Sequence, residues 1–134
     1  MVNKLDELLR FQQTALSFRA AKQELLASNI ANADTPAYKA RDIDFASALK
    51  TAMAGSTHVL PVAQTSPMHL AAKTGGSVQG APVLYRVPVQ PSADGNTVDM
   101  DVERVQSADN ALRYEASVRF ISEQIKGMTV AIQG

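Results

Sequence analysis

Ser28-Asn29-Ile30-Ala31-Asn32-Ala33-Asp34-Thr35-Pro36-Ala37-Tyr38-Lys39 is the stretch on which the fold turns. Pro36 biases Thr35 away from the α region, and the Asn, Asp and Thr side chains just before it favour turns. A helix arriving from the N-terminal side must therefore stop near Asn32. Asn29 and Asn32 are spaced i,i+3, so their amides project from one side of the last helical turn. A primary amide both donates and accepts, so the pair is suited to satisfying orphan carbonyls there or bridging to another backbone. The plainer alternative is a well-made helix stop with no further role.

Upstream of that stop the pattern is helical from Asn3, a candidate N-cap with Asp6 three residues on. Apolar residues form two adjacent heptad rows, one of Leu8, Phe11, Ala15, Phe18 and Leu25, the other of Leu9, Leu16 and Ile30, with Leu26 beside them. That face is broader than a two-stranded seam requires. Thirty helical residues would span roughly 45 Å, longer than a compact domain of this mass needs. The first segment is residues 1–34.

Downstream, Asp44 is placed to cap a short amphipathic helix carrying Phe45, Ala48, Leu49, Ala52 and Met53, with Gly55 closing it. Asp42 and Asp44 both read as helix-start acids rather than a catalytic carboxylate pair. From Gly55 to Asn96 the chain holds five of its six prolines and five of its seven glycines. Short β-like runs occur at His58–Ala63 and Val83–Val87, and Asp94-Gly95 is a turn signal. Residues 55–96 are expected to be either an irregular connection or a small hairpin ordered by partners, and the middle segment as a whole, residues 35–98, comprises the turn, the short helix and this stretch.

The last segment, residues 99–134, opens with Asp99, Asp101 and Glu103, acids suited to a helix N-terminus. Ala111, Tyr114, Val118, Ile121, Ile125, Met128 and Ile132 then recur at alternating spacings of three and four, with Leu112 on an earlier, phase-shifted row. Asp109–Arg113 and Glu115–Arg119 are i,i+4 pairs in the favourable order. Gly127 marks either a close helix approach or fraying of the last turn. The predicted fold is mainly α, with long N- and C-terminal amphipathic helices pairing as an antiparallel, coiled-coil-like hairpin. Leu9, Leu16, Leu26 and Ile30 on the first helix, and Leu112, Tyr114, Val118, Ile121, Ile125 and Met128 on the last, are the expected packing positions.

Composition limits what such a chain does. Of its 134 residues, 21 are alanine and seven aromatic, so little large apolar area is available for a thick core. Thirteen basic and thirteen acidic residues balance, giving no field that would recruit nucleic acid or an anionic membrane. Without cysteine there is no disulfide, thiolate metal site or cysteine nucleophile. No apolar run is long enough to span a membrane, and Asp6, Glu7 and Arg10 interrupt any signal-peptide core. His58 and His69 have no metal-ligand spacing, Asp94-Gly95-Asn96 lacks the acids of a calcium loop, and no nucleotide or nucleophile motif occurs. The expectation is a non-enzyme without catalytic residues, metal or cofactor.

The stretch at 28–39 resembles the N-terminal signature of the bacterial flagellar axial proteins, through Ser28, Asn29, Ile30, Ala31, Asn32, Thr35, Pro36, Tyr38 and Lys39. Five blocks C-terminal to it are similar to the proximal rod proteins within that group: Ala40–Phe45, Leu84–Pro88, Asp94–Asp101, Asn110–Tyr114 and Ile125–Met128. Only about Gly55–Ala81 is not covered. Ala37 stands where the family usually has glycine. A type II turn around Pro36 would need φ > 0 there, so either the turn is type I or the site carries strain.

The resemblance implies a structural subunit of the proximal flagellar rod, in the periplasm and exported without a cleaved signal peptide. It implies polymerisation through the terminal helices into a tubular shaft that transmits torque and lines the export channel. Implied partners are copies of itself, other proximal rod subunits, the rod-base adaptor, and export-gate and membrane-ring proteins. Ser28, Asn29, Ile30, Asn32, Thr35, Pro36 and Tyr38 would be its assembly motif. The competing reading is a soluble helical-hairpin adaptor or export chaperone, for which a polar outer face and a short connection are expected.

Overall fold

The computed structural model describes residues 2–55, 77–88, 90 and 92–134, with side chains from residue 6 onward. Helix α1 runs Val2–Ala31, strand β1 Arg41–Asp42, helix α2 Phe45–Met53, strands β2 Ser77–Val78, β3 Ala81–Pro82 and β4 Leu84–Tyr85, and helix α3 Met100–Gln133. The chain is mainly helical, as the two long periodic segments require. α1 and α3 are antiparallel: Asn29 meets Glu103, Gln23 meets Ser107 and Arg19 meets Asn110. The β-like run at His58–Ala63 lies outside the described residues.

Local chemistry sets most of the element ends. α1 stops at Ala31, and Asn32 N–H bonds back to the carbonyls of Ser28 and Asn29. Asp44 caps α2 by accepting from Ser47 N–H at 3.3 Å, and Gly55 leaves it with φ +71°. Asp99 caps α3 by accepting from the N–H groups of Asp101 and Val102. Two expectations are corrected. α1 is already helical at Val2, so Asn3 lies inside the helix and is not its cap. Asp42 does not start a helix either; it sits in β1 and its carboxylate bonds its neighbour Ile43 N–H at 2.7 Å.

The strands are two residues each, and one of their two pairings is long-range. β1 pairs antiparallel with β4, Arg41 opposite Tyr85 and Asp42 opposite Leu84. β2 and β3 form a hairpin around Gln79 and Gly80, both at positive φ (52° and 85°), as a type I′ turn demands. The run at 83–87 therefore supplies a partner for β1 rather than one arm of a hairpin.

The apolar core lies between α1 and this middle segment. Phe18, Ala21 and Leu25 of α1 are buried with Ile43, Ala48, Ala81 and Val83, and Phe45, Leu49, Ala52 and Val78 close its edge. The breadth of the α1 apolar face thus has a cause inside the subunit, because one of its two rows serves the middle segment. Leu26 is fully buried, while Leu9, Leu16 and Ile30 are half-buried.

α3 corrects the expected helix packing more strongly. Its side chains facing α1 in the first turns are polar: Glu103, Ser107 and Asn110. Leu112, two residues from Asn110, falls about 200° round the helix from it and is 68% exposed, so it takes no part in the pairing. Beyond it Ile121 and Met128 are half-buried, whereas Tyr114, Val118, Ile125 and Ile132 are exposed. Among the described residues nothing within 4 Å would meet a Cβ on Gly127, so no close helix approach between them explains it, and the helix continues past it to Gln133. The pairs Asp109–Arg113 and Glu115–Arg119 form at 2.8 and 3.8 Å, exposed and worth a few tenths of a kcal/mol each.

The turn after α1 is resolved. Tyr38 N–H bonds Thr35 C=O at 3.3 Å across Pro36-Ala37, and Ala37 has φ +59°. That is the sign of φ a type II turn requires at its third residue. Ala37 therefore carries the strain, held by its own N–H on Asp94 C=O at 3.0 Å. An L-residue in this region costs about 1–2 kcal/mol, offset by roughly 0.4–1 kcal/mol of unfolded-state entropy when glycine replaces it. Ala37→Gly is expected to stabilise the chain by about 0.5–1 kcal/mol, and Gly95→Ala, at φ +75°, to destabilise it similarly. Urea unfolding midpoints of the two variants check both signs.

Candidate functional site

The described structure gathers its polar side chains at one place, the end of α1 where β1, β4 and the start of α3 converge. Asn29 is at its centre and fully buried. Its amide donates to Arg41 C=O at 2.8 Å and to Glu103 Oε2 at 3.1 Å. Its carbonyl accepts from Arg41 N–H at 3.0 Å and from Tyr38 O–H at 3.4 Å. Every donor and acceptor of the amide is in use, so the buried group carries no desolvation penalty.

Glu103 extends the network. This carboxylate is fully buried and bonds the Arg86 guanidinium as well as Asn29. Arg86 also donates to Asp42 Oδ2 at 2.8 Å and to Gln106 Oε1 at 2.9 Å, while its backbone N–H bonds Ala40 C=O at 2.9 Å. Lys22 of α1 closes the set at 3.1 Å from Asp42 Oδ1. Two cations and two anions alternate, Lys22, Asp42, Arg86, Glu103, and the charge sums to zero. A buried carboxylate is tolerable only with such partners, and removing one of them leaves an uncompensated charge.

A second cluster closes the base of the middle segment. Asn96, buried, directs its amide nitrogen at the carbonyls of Asn32, Ala33 and Thr35, at 3.0, 2.7 and 2.9 Å. Those carbonyls belong to the turn that follows α1, where Asn32 and Thr35 C=O also accept from Thr35 and Tyr38 N–H. Thr97 N–H bonds Tyr38 C=O at 3.0 Å and Thr97 Oγ1 accepts from Ala40 N–H at 2.8 Å, so residues 37–42 are held on both sides.

The structure separates the two asparagines that share a helix side. Asn29 is aimed at α3 and β1. Asn32 serves its own turn, donating to Ser28 C=O at 2.8 Å and accepting from Thr35 O–H at 3.1 Å. Ser28 lies between the Tyr38 hydroxyl, 3.2 Å away, and Arg41, which donates to it at 3.1 Å. Ile30 is half-buried and Pro36 is exposed on the turn. Glu103, Arg86, Asn96 and Asn110 are the participants that sequence reasoning missed. One signal was available: Glu103, Ser107 and Asn110 are polar at spacings of four and three, a heptad row where apolar residues are expected. Among the described residues no group of acids and histidines is gathered that would hold a metal. No described helix is long and apolar enough to cross a membrane. The arrangement holds elements together.

Burial pushes the Asp42 carboxyl up, but its bonds to Arg86, Ile43 N–H and Lys22 outweigh this and hold it below the usual carboxylate range. A depressed folded-state pKa contributes stability that is fully present above the unfolded value, near pH 4, and is lost as pH falls through the folded value. Unfolding free energy measured from pH 6 to pH 2.5 is expected to fall more steeply for the native chain than for Asp42→Asn. Asn29→Leu would strand Arg41 N–H, Arg41 C=O and part of the Glu103 carboxylate, a loss of about 3 kcal/mol or more. Asn32→Leu, half-exposed and bonded only within its turn, is expected to cost about 1 kcal/mol in the same urea titration.

Residues 9–39, which include α1 from Leu9 onward and its closing turn, match the family described as "Flagella basal body rod protein". The flagellar basal body rod protein FlgB of Escherichia coli K12 is 54% identical over 136 residues, covering 99% of this chain and 98% of its own. FlgB of Salmonella typhimurium LT2 is 53% identical over 137 residues, 100% of this chain and 99% of its own. FlgB of Cereibacter sphaeroides is 48% identical over 120 residues, 90% and 89% of the two chains. With half of all positions shared along nearly the full length of these relatives, the chain belongs to the FlgB family of flagellar basal body rod proteins.

Proposed function

We propose that this chain is a structural subunit of the proximal rod of the flagellar basal body, polymerising through α1 and α3 into a tubular, torque-transmitting shaft that lines the export channel. The names of the relatives support the rod assignment. One structural observation carries the rest, an apolar surface bare on the helix pair, mostly at one end. Core and polar network hold residues 18–29 of α1 and the first turns of α3. At the other end Leu8 and Phe11 of α1 are exposed, as are Val118, Ile125 and Ile132 of α3. Continuing the Arg19–Asn110 register, Phe11 falls opposite Val118, so these side chains share one region. Free in water they are unburied hydrophobic area, and a neighbour that covers them gains roughly 25 cal/mol per Å².

In this reading the roles divide along the chain. Residues 1–34 and 99–134 are the axial helices, and residues 35–98 brace them. Ser28, Asn29, Ile30, Asn32, Thr35, Pro36 and Tyr38 form an internal joint that sets how α1 meets α3. Leu9, Leu16, Ile30, Tyr114, Val118, Ile121, Ile125 and Met128 complete their burial against neighbouring subunits, as do Leu112 and the exposed aromatic Phe120. The neighbours are copies of this chain, other proximal rod subunits, the rod-base adaptor, and the export-gate and membrane-ring proteins around them. The location is the periplasm, reached through the flagellar export route without a cleaved signal peptide. Work of this kind needs no catalysis or cofactor. A soluble adaptor or export chaperone acting alone has no use for the bare apolar end.

Ile125 is 48% exposed in the single chain, so Ile125→Asp is expected to change its unfolding free energy by about 0.5 kcal/mol or less. In cells the same variant should be secreted normally yet yield no rods and no motility. Basal bodies purified from the variant strain and counted by electron microscopy check this. Rods at native yield would overturn the proposal that α3 is an assembly surface.

A further inference from the structure

Arg19 projects from α1 into a cleft of about 310 Å³ between α1, the start of α2 and α3, lined also by Lys22, Phe45, Gln106, Asp109 and Arg113. Its guanidinium lies over the Phe45 ring, 4.5 Å from the centroid. That contact holds the group against the ring, and cation–π attraction uses none of its N–H donors. Nε of Arg19 is nonetheless buried with no acceptor among the described residues.

Nor does the chain itself supply a counter-charge. All thirteen aspartates and glutamates are among the described residues, so the ion pairs of Arg19 are fully known. Its two cationic neighbours are engaged, Lys22 with Asp42 at 3.1 Å and Arg113 with Asp109 at 2.8 Å, while Arg19 has no carboxylate within 4.0 Å. Burial and the nearby Arg113 both disfavour its charge, and Asp109 only partly offsets them. The cleft thus holds three cations facing Asp109, with Asp42 already shared between Lys22 and Arg86. An anchored guanidinium with donors to spare is the complement of a planar carboxylate, which it binds through two parallel N–H···O bonds.

We propose that this cleft receives an aspartate or glutamate side chain of a neighbouring rod subunit, bound by Arg19. The proposal rests on the rod-subunit reading and deepens it by naming the chemistry of one contact between subunits. The occupant is a carboxylate because the missing partner is one unit of negative charge in a cleft whose walls are otherwise satisfied. It comes from another chain because Asp109, the one carboxylate of this chain that lines the cleft, is paired with Arg113 at 2.8 Å.

The test uses Arg19→Met, which keeps the stem over Phe45 and removes the charge and donors, beside Arg19→Lys and a strain lacking the gene. The expected result is an unchanged urea midpoint for purified Arg19→Met, at least a tenfold fall in basal-body yield, and a smaller fall for Arg19→Lys. A yield reduced less than tenfold overturns the proposal, as does a urea midpoint that drops along with the yield. So does saturable binding of inorganic phosphate by the free chain with a shift of the Arg19 Nε–H resonance, which would make the occupant a small anion. Rods that form in the strain lacking the gene would instead overturn the rod-subunit reading. Rods that require the chain but tolerate Arg19→Met leave that reading standing and remove only the carboxylate contact.

Discussion

The bond between Asn29 and Glu103 is the constraint on which the rest of the structure depends. It joins α1 to α3 across 74 residues of sequence, and both side chains are fully buried. Neither tolerates burial alone. Glu103 needs Arg86, and Arg86 in turn bonds Asp42 beside the Arg41 backbone that Asn29 holds. β4, β1, α1 and α3 are thereby tied into one closed circuit of bonds. Replacing such a buried ionic set with apolar residues of like volume is often neutral or even stabilising, so net stability is a poor explanation for it. What a polar circuit supplies is uniqueness. An apolar seam tolerates sliding by a turn, whereas each of these bonds has one partner and one direction.

This arrangement distributes burial unevenly. The apolar core sits at one end, under α1 and the middle segment, and the first turns of α3 are held by polar side chains instead. Apolar residues on the distal turns of both helices are left with partial cover. For a free protein this spends good core-forming residues on solvent. For a subunit of a polymer it separates two tasks: the near end defines the shape of the piece, and the far end provides adhesive area.

Much of the fold was legible because it is written in local chemistry. Pro36 ends α1, Asp44 and Asp99 cap the helices that they precede, and three-four spacing identifies α3. The strands were not legible as pairs. Two residues are too short to show a period, and the β1–β4 pairing joins positions 44 apart, Arg41 and Tyr85. The joint was half legible. Asn29 stood out through its motif, but Glu103 looked like an ordinary first-turn acid until the fold brought Arg86 beside it. Ala37 was visible as an anomaly from sequence, and its resolution needed the backbone bond that closes the turn. The α3 packing positions misled for a different reason. Periodicity reports which residues are apolar, and it does not say whether the same chain covers them.

The position of the joint has a mechanical consequence. From Asn110 to the end of α3 runs a helix of 23 further residues, a lever of about 35 Å at 1.5 Å per residue. An angular play of about 3° at the fulcrum displaces the tip of such a lever by about 2 Å, comparable to the slack that close packing against a neighbour tolerates. Oily contacts at the fulcrum would permit that play, since dispersion is indifferent to small rotations. Directional bonds from Asn29, Glu103 and Asn110 resist it, so angular precision at one end becomes positional precision at the other.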